Sequence, residues 1–268
     1  MTHLPFHFPA SLFAIVLSAV SAMSTSALAA QNPVEPRKPV GVAGAPDVQP
    51  DLSLVTQQII GRTNAFRKQE NRRPVEADPQ LNEAAAYFAD YMARTSQYGH
   101  EADGGSPAGR ANRYGYEHCI ISENIAYQYN SAGFTREELA SSLVEGWKRS
   151  AGHRRNMLDS DVSDTGVAVA RSAKTGYYYA VQMFARPKSS TIAFGIANRS
   201  GTTVAYRLGD ERFSLPPRLT RSHERCRPAQ LALLPPGDES EVPPIKPESG
   251  DRFVVSRENG SLAIRKDR

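Results

Sequence analysis

The chain is poor in the residues and motifs that most often announce a chemistry. Its 268 residues include two cysteines, one tryptophan and five methionines. It has no Gly-x-Ser-x-Gly elbow, no His-Glu-x-x-His helix and no papain-like cysteine signature, so no hydrolase that depends on those motifs is indicated. The one glycine-rich run, Gly104-Gly105-Ser106-Pro107-Ala108-Gly109, lacks phosphate-binding spacing and reads as a flexible loop. No recognised nucleic-acid-binding motif occurs, and nucleic acid is not an expected partner. The apolar run Ser11–Val20 is shorter than the ~20 residues a bilayer requires, so no transmembrane span is expected in the mature chain.

That run has another role. It is followed by Ala27-Leu28-Ala29, the small-x-small pattern cut by signal peptidase, although only His3 and His7, and no Lys or Arg, precede it. Residues 1–29 are therefore expected to be a signal peptide cleaved near Ala29 or Ala30, giving a secreted or periplasmic protein. Pro33, Pro36, Pro39, Pro46 and Pro50 make residues 30–50 an extended linker. Residues 51–268 are enough for one ordinary domain and a smaller second one.

Periodicity divides this longer portion. Leu54, Ile59, Ile60, Thr63 and Phe66 have helical spacing up to Arg73-Pro74. Asp78-Pro79 opens a second helix with an apolar stripe of Leu81, Ala84, Ala85, Phe88, Tyr91 and Met92. It should end near Gln97 to Gly99, leaving His100 in an exit loop. Ile120 to Tyr127 reads as a strand with Glu123 in its middle. Thr135 and Glu138 form a capping box ahead of a helix through Trp147. Asp164 to Ala170 and Tyr177 to Phe184 read as paired strands. Beyond residue 188 the pattern is β-rich, with two expected hairpins: Ile192–Ile196 with Val204–Leu208, and Phe253–Glu258 with Ser261–Arg265 about Asn259-Gly260.

The informative set lies in the middle: His100, Ser122-Glu123-Asn124-Ile125, Trp147-x-x-Ser150-x-x-His153-Arg-x-Asn156, and Thr165-Gly-Val-Ala-Val169. In order and spacing these segments resemble the superfamily of cysteine-rich secretory proteins, antigen 5 and pathogenesis-related proteins (CAP), in its bacterial branch, over roughly Asp51 to Lys188. The resemblance implies a three-layer α-β-α sandwich (an SCP-like domain, 51–188) with a small β-rich C-terminal extension (189–268). It also implies one cavity lined by His100, Glu123, Ser150 and His153. In the family two histidines and two acidic residues can hold a divalent metal, often zinc. Here His100, His153 and Glu123 match three of them, and Ser150 stands where many animal members carry the second carboxylate.

Taken as chemistry, two imidazoles and a carboxylate suit zinc, with water in a fourth position, and equally suit general acid–base catalysis. Ser150 has no orienting group at a matching spacing and fits an N-cap better than a nucleophile. Three functions are compatible with this set. The first is a binding module for a small apolar or envelope-derived ligand, as the resemblance implies for members that bind sterols or fatty acids. The second is a structural envelope protein, and the third a metal-assisted hydrolase.

Two cysteines suggest one disulfide, Cys119–Cys226, in an oxidising compartment; two free thiols or a metal site with His118 and His223 are the alternatives. So low a cysteine content sets the chain apart from the disulfide-rich eukaryotic members. Net charge is +1 over residues 51–188 and +3 over 189–268. The excess is gathered at Arg218, Arg221, Arg225 and Arg227, which either meet an anionic envelope polymer or form a solvated loop.

Overall fold

The computed structural model describes residues 49–234 and 243–267. The expected signal peptide and nearly all of the expected linker lie outside them, as do Pro235 and Pro236. The described residues fall within one compact unit, and no helix among them is long and apolar enough to cross a membrane.

Helix α1 (Leu52–Gln69) starts at Asp51, whose carboxylate accepts from the Ser53 and Leu54 amides. A two-residue strand β1 (Glu76–Ala77) leads to α2 (Pro79–Thr95), capped by Asp78 through the Leu81 amide and closed by Ser96 in the left-handed region. Next come α3 (Pro107–Arg113), β2 (His118–Gln128), α4 (Arg136–Arg149) and α5 (Ala151–Leu158). The capping box of α4 is complete: the Thr135 side chain accepts from the Glu138 amide, and Glu138 accepts from the Thr135 amide. Strands β3 (Asp164–Arg171) and β4 (Tyr178–Pro187) are antiparallel neighbours.

The sheet order is β1-β3-β4-β2, which leaves β2 with one free edge. Both faces of the sheet are covered. Alternate residues of β3 and β4, namely Val167, Val169, Ala180 and Phe184, pack with Ile59, Leu143 and Trp147 of α1 and α4. Their neighbours Ala168, Val181, Met183 and Ala185 pack with Leu81, Phe88 and Met92 of α2. Burial on both sides explains why β4 reads as an unbroken apolar run rather than an alternating one. Contact with α2 is so close at Gly166 that an added Cβ would lie 2.2 Å from the Leu81 carbonyl carbon. The result is an α-β-α sandwich.

The tail contains β5 (Ile192–Asn198), β6 (Val204–Leu208), β7 (Glu211–Leu215), β8 (Thr220–Arg225), β9 (Leu231–Leu234), β10 (Arg252–Glu258) and β11 (Ser261–Lys266). They form two sheets, β11-β10-β5-β8 and β7-β6-β9, around a core that includes Phe194, Tyr206, Leu208 and Phe253. The β10–β11 hairpin forms as expected, with Asn259 and Gly260 both at positive φ. The expected hairpin of Ile192–Ile196 with Val204–Leu208 does not. Its strands lie in different sheets, because the buried Asn198 donates to the Thr202 and Leu215 carbonyls and turns the chain from one sheet to the other.

The glycine-rich run also departs from its reading as a flexible loop. Ser106 accepts from the Gly109 amide and Pro107 occupies the first turn, so α3 begins inside it.

Candidate functional site

The site grows from the free edge of β2. Its alternation sends Glu123 towards the α2–α3 layer and Asn124 towards the α4–α5 layer. Glu123 is buried, its side chain 1% exposed, and Arg110 of α3 meets it: Nη2 donates to Oε2 at 2.9 Å and to Oε1 at 3.0 Å. Nη1 of Arg110 donates to Asp103 at 2.8 Å, and Nη2 also donates to the His100 carbonyl at 2.9 Å. The guanidinium lies 3.5 Å from the centroid of the Phe88 ring. The guanidinium and its carboxylate partners compensate one another's burial, because removing either would strand the opposite charge.

His100 completes the chain of contacts, with Nδ1 2.8 Å from Glu123 Oε1. An ionised carboxylate can only accept, so Nδ1 carries the proton of this contact and Nε2 is the ring nitrogen left for another partner. The side chain of His100 is 47% exposed. One residue in the set thus faces solvent while its orienting partners are buried.

On the other face, the tryptophan–serine–histidine–asparagine segment fastens β2. Trp147 Nε1 donates to the Ile125 carbonyl at 3.2 Å. Asn156 donates to Asn124 Oδ1 at 2.9 Å and to the Glu123 carbonyl at 3.3 Å, and Asn124 donates to the His153 carbonyl at 3.1 Å. These bonds hold the backbone of residues 123–125 and place His153, in the first turn of α5, beside the strand. Its imidazole is half-buried, and burial, then the charge of His100, push its pKa below the ordinary histidine value. The two rings therefore share one electrostatic neighbourhood.

Ser150 ends α4 and begins α5, yet its side chain makes no capping bond, so its N-cap role is carried by the backbone alone. A zinc site at His100, Glu123 and His153 does not fit this arrangement. Both oxygens of Glu123 are held by Arg110, whose positive charge opposes a cation, and His100 turns its Nδ1 to the same carboxylate. Among the described residues no group of three His, Cys, Asp or Glu side chains is placed to hold a metal.

Cys119 and Cys226 are joined as a disulfide with Cα atoms 5.3 Å apart. The alternative metal site is thereby removed, since His223 is buried in the tail with Nε2 2.7 Å from the Tyr206 hydroxyl. The four tail arginines do not form one free cationic cluster. Arg225 is paired with Glu211, and Arg227 reaches Asp159 at 2.6 Å and Asp161 at 2.7 Å. Arg221 lies over the Phe213 ring, while Arg218 occupies an exposed left-handed turn.

Arg110 and Asp103 are the site residues that sequence reading misses. Ser106-Pro107, an N-cap followed by a first-turn proline, is the signal that would have revealed the helix carrying Arg110.

The fold and this site define an SCP-type domain. Residues 60–184 match the model of the Cysteine-rich secretory protein family, CAP. The domain built on them belongs to the CAP superfamily. Uncharacterized protein YkwD of Bacillus subtilis (strain 168) is 25% identical over 122 residues, 45% of this chain and 44% of that protein. Uncharacterized membrane protein YlbC of the same organism is 30% identical over 120 residues, 44% of this chain and 32% of that protein. The match thus spans less than half of either curated relative. Among solved structures, an extracellular SCP-domain protein from Bacillus anthracis str. Ames is 27% identical with a TM-score of 0.43, covering 50% of this chain and 41% of that one. An outer surface protein from Borrelia burgdorferi is 17% identical with a TM-score of 0.46, covering 54% of this chain and all of that one.

Proposed function

We propose that the protein is exported and that its CAP domain is a binding module for a small apolar or envelope-derived ligand, taken at the free edge of β2, where His100 and His153 lie on either side of the strand. The observation that carries this reading is the engagement of Glu123. A general base must be free to take a proton from water, whereas this carboxylate is buried with Arg110 on both oxygens and His100 on one. Its effect is to orient His100, which then offers a fixed, half-exposed imidazole to a polar group of the ligand. Hydrolysis finds no support in this arrangement, because Ser150 stands at the position of the second carboxylate, and Asp103, the other carboxylate beside Glu123, is itself buried against Arg110.

The test compares wild type with Glu123→Gln on peptide, ester and cell-wall substrates, with fatty-acid and sterol binding measured in parallel. The expected outcome is no turnover by wild type and ligand binding that changes by only a few fold in the variant. A wild-type activity that disappears in Glu123→Gln would make the protein an enzyme and overturn this reading.

A further inference from the structure

The outward face of the β11-β10-β5-β8 sheet carries two adjoining grooves of about 480 and 570 Å³ that share Ala197, Arg199 and Thr220. Their floor is the outer side of β5, Ala193, Gly195 and Ala197, which has almost no side-chain bulk. Arg199, Arg218 and Arg252 line the grooves and are exposed, and none of the three makes a side-chain ion pair or hydrogen bond among the described residues. Thr220 and Ser222 of β8 add hydroxyls along one side. Two carboxylates line the grooves, Asp251, already paired with Lys266 at 2.6 Å, and Asp267, and a third, Glu224 of β8, stands opposite Ala193 at the end of the floor.

We infer that this face is a docking surface for an acidic polysaccharide lying along β5. Three unpaired guanidinium groups spread along the two adjoining grooves complement carboxylates repeated along a chain, since the planar fork of arginine matches a carboxylate two bonds at a time. A flat floor lets sugar rings approach the sheet, and the hydroxyls of β8 suit the donors and acceptors of sugars. Nucleic acid fits worse, because Phe194 and Phe253, the aromatic residues in the lining, are buried at 5% and 2% exposure and offer no stacking face. A membrane also fits worse: Leu219 is the exposed large apolar side chain here, and one leucine supplies too little apolar area to insert stably. This surface is independent of the His100 site, and it replaces the Arg218–Arg227 cluster with a face on which only Arg218 is retained.

The full-length protein should be titrated with polygalacturonate, with neutral dextran and with polyphosphate of similar length. Binding is expected for polygalacturonate, weakened by salt, and absent for dextran. Replacing Arg199, Arg218 and Arg252 together by glutamine should weaken it by about tenfold or more, with an unchanged near-UV spectrum showing that the tail remains folded. Gly195→Leu tests the groove without altering charge. An added Cβ there meets nothing closer than Thr220 Cγ2 at 4.0 Å, so the substitution fills the floor without disturbing the sheet, and it should weaken binding comparably. Equal binding of dextran would overturn the proposal. So would polyphosphate binding as tight as polygalacturonate binding together with no effect of Gly195→Leu, because charge alone would then explain the interaction.

Discussion

Arg110 holds both carboxylate oxygens of Glu123, at 2.9 and 3.0 Å, inside a layer where the two side chains are 2% and 1% exposed. Breaking such a pair leaves a buried charge without a partner. Arg110→Met should therefore cost about 3–5 kcal/mol in urea unfolding. Adding Glu123→Gln should recover part of that loss, because the stranded carboxylate is then gone. A cost below about 1 kcal/mol would mean that water replaces the guanidinium and that the pair does not organise the site.

The asparagine clamp gives a smaller, independent effect. Asn156→Ala removes the donor to Asn124 Oδ1 and to the Glu123 carbonyl. Leaving those buried acceptors unsatisfied should cost about 1–3 kcal/mol. Hydrogen exchange of the β2 amides around Glu123 should accelerate in the same variant, and unchanged exchange would contradict the clamp.

Gly166 is required by space. A Cβ there would sit 2.2 Å from the Leu81 carbonyl carbon and 2.3 Å from its oxygen, and backbone cannot swing aside as a flexible side chain can. Gly166→Ala should separate α2 from β3 and destabilise by about 3 kcal/mol or more. A folded variant with wild-type melting temperature would refute the close approach.

The disulfide and Arg227 fix the tail to the CAP domain at neighbouring points. Cys119–Cys226 spans 107 residues of chain, and closing a loop of that size stabilises by up to about 4.7 kcal/mol in the chain-entropy account. Beside it, Arg227 bonds Asp159 and Asp161 just beyond α5. Burial alone would raise the Asp159 pKa, yet the Arg227 hydrogen bonds hold it below the usual carboxylate value. The Cys119→Ser, Cys226→Ser double variant should melt several degrees lower, and Arg227→Ala should lower it further. Limited proteolysis should then cut near residue 189 first, and protection equal to wild type would show that the tail docks without these links.

How much of this was legible in the sequence depends on whether the signal is local. The caps at Asp78 and Thr135, the glutamate-bearing strand and the Asn259-Gly260 turn each declare themselves within a few residues. The partner of Glu123 does not. Arg110 lies 13 residues upstream, in a helix of seven residues too short to show a periodic stripe, inside a glycine-rich run that suggests a loop. The tail strands failed for the opposite reason: Ile192–Asn198 and Val204–Leu208 alternate correctly, but alternation identifies strands without identifying their partners. In the same way, composition could count the tail arginines but could not foresee that Arg225 and Arg227 would be neutralised within the fold.

His153 should give the protein an acid-side sensitivity. Burial and the neighbouring His100 hold its folded pKa below the unfolded value, so the neutral ring is favoured by folding. Its contribution is intact above the ordinary histidine pKa of about 6.5. It is lost as pH falls from there through the lower folded value, where the unfolded chain binds the extra proton first. Unfolding free energies measured between pH 7.5 and 5 should decline for wild type and decline less for His153→Asn. Parallel curves would remove the burial argument.

The central claim is that Glu123 orients His100 rather than serving as a free base or metal ligand, and the tautomer of His100 tests it directly. Long-range nitrogen–proton NMR at neutral pH should show the His100 proton on Nδ1, with Nε2 bare, and this preference should disappear in Glu123→Gln. A proton on Nε2 in wild type, or zinc at stoichiometric concentration displacing the proton from Nδ1, would contradict the account.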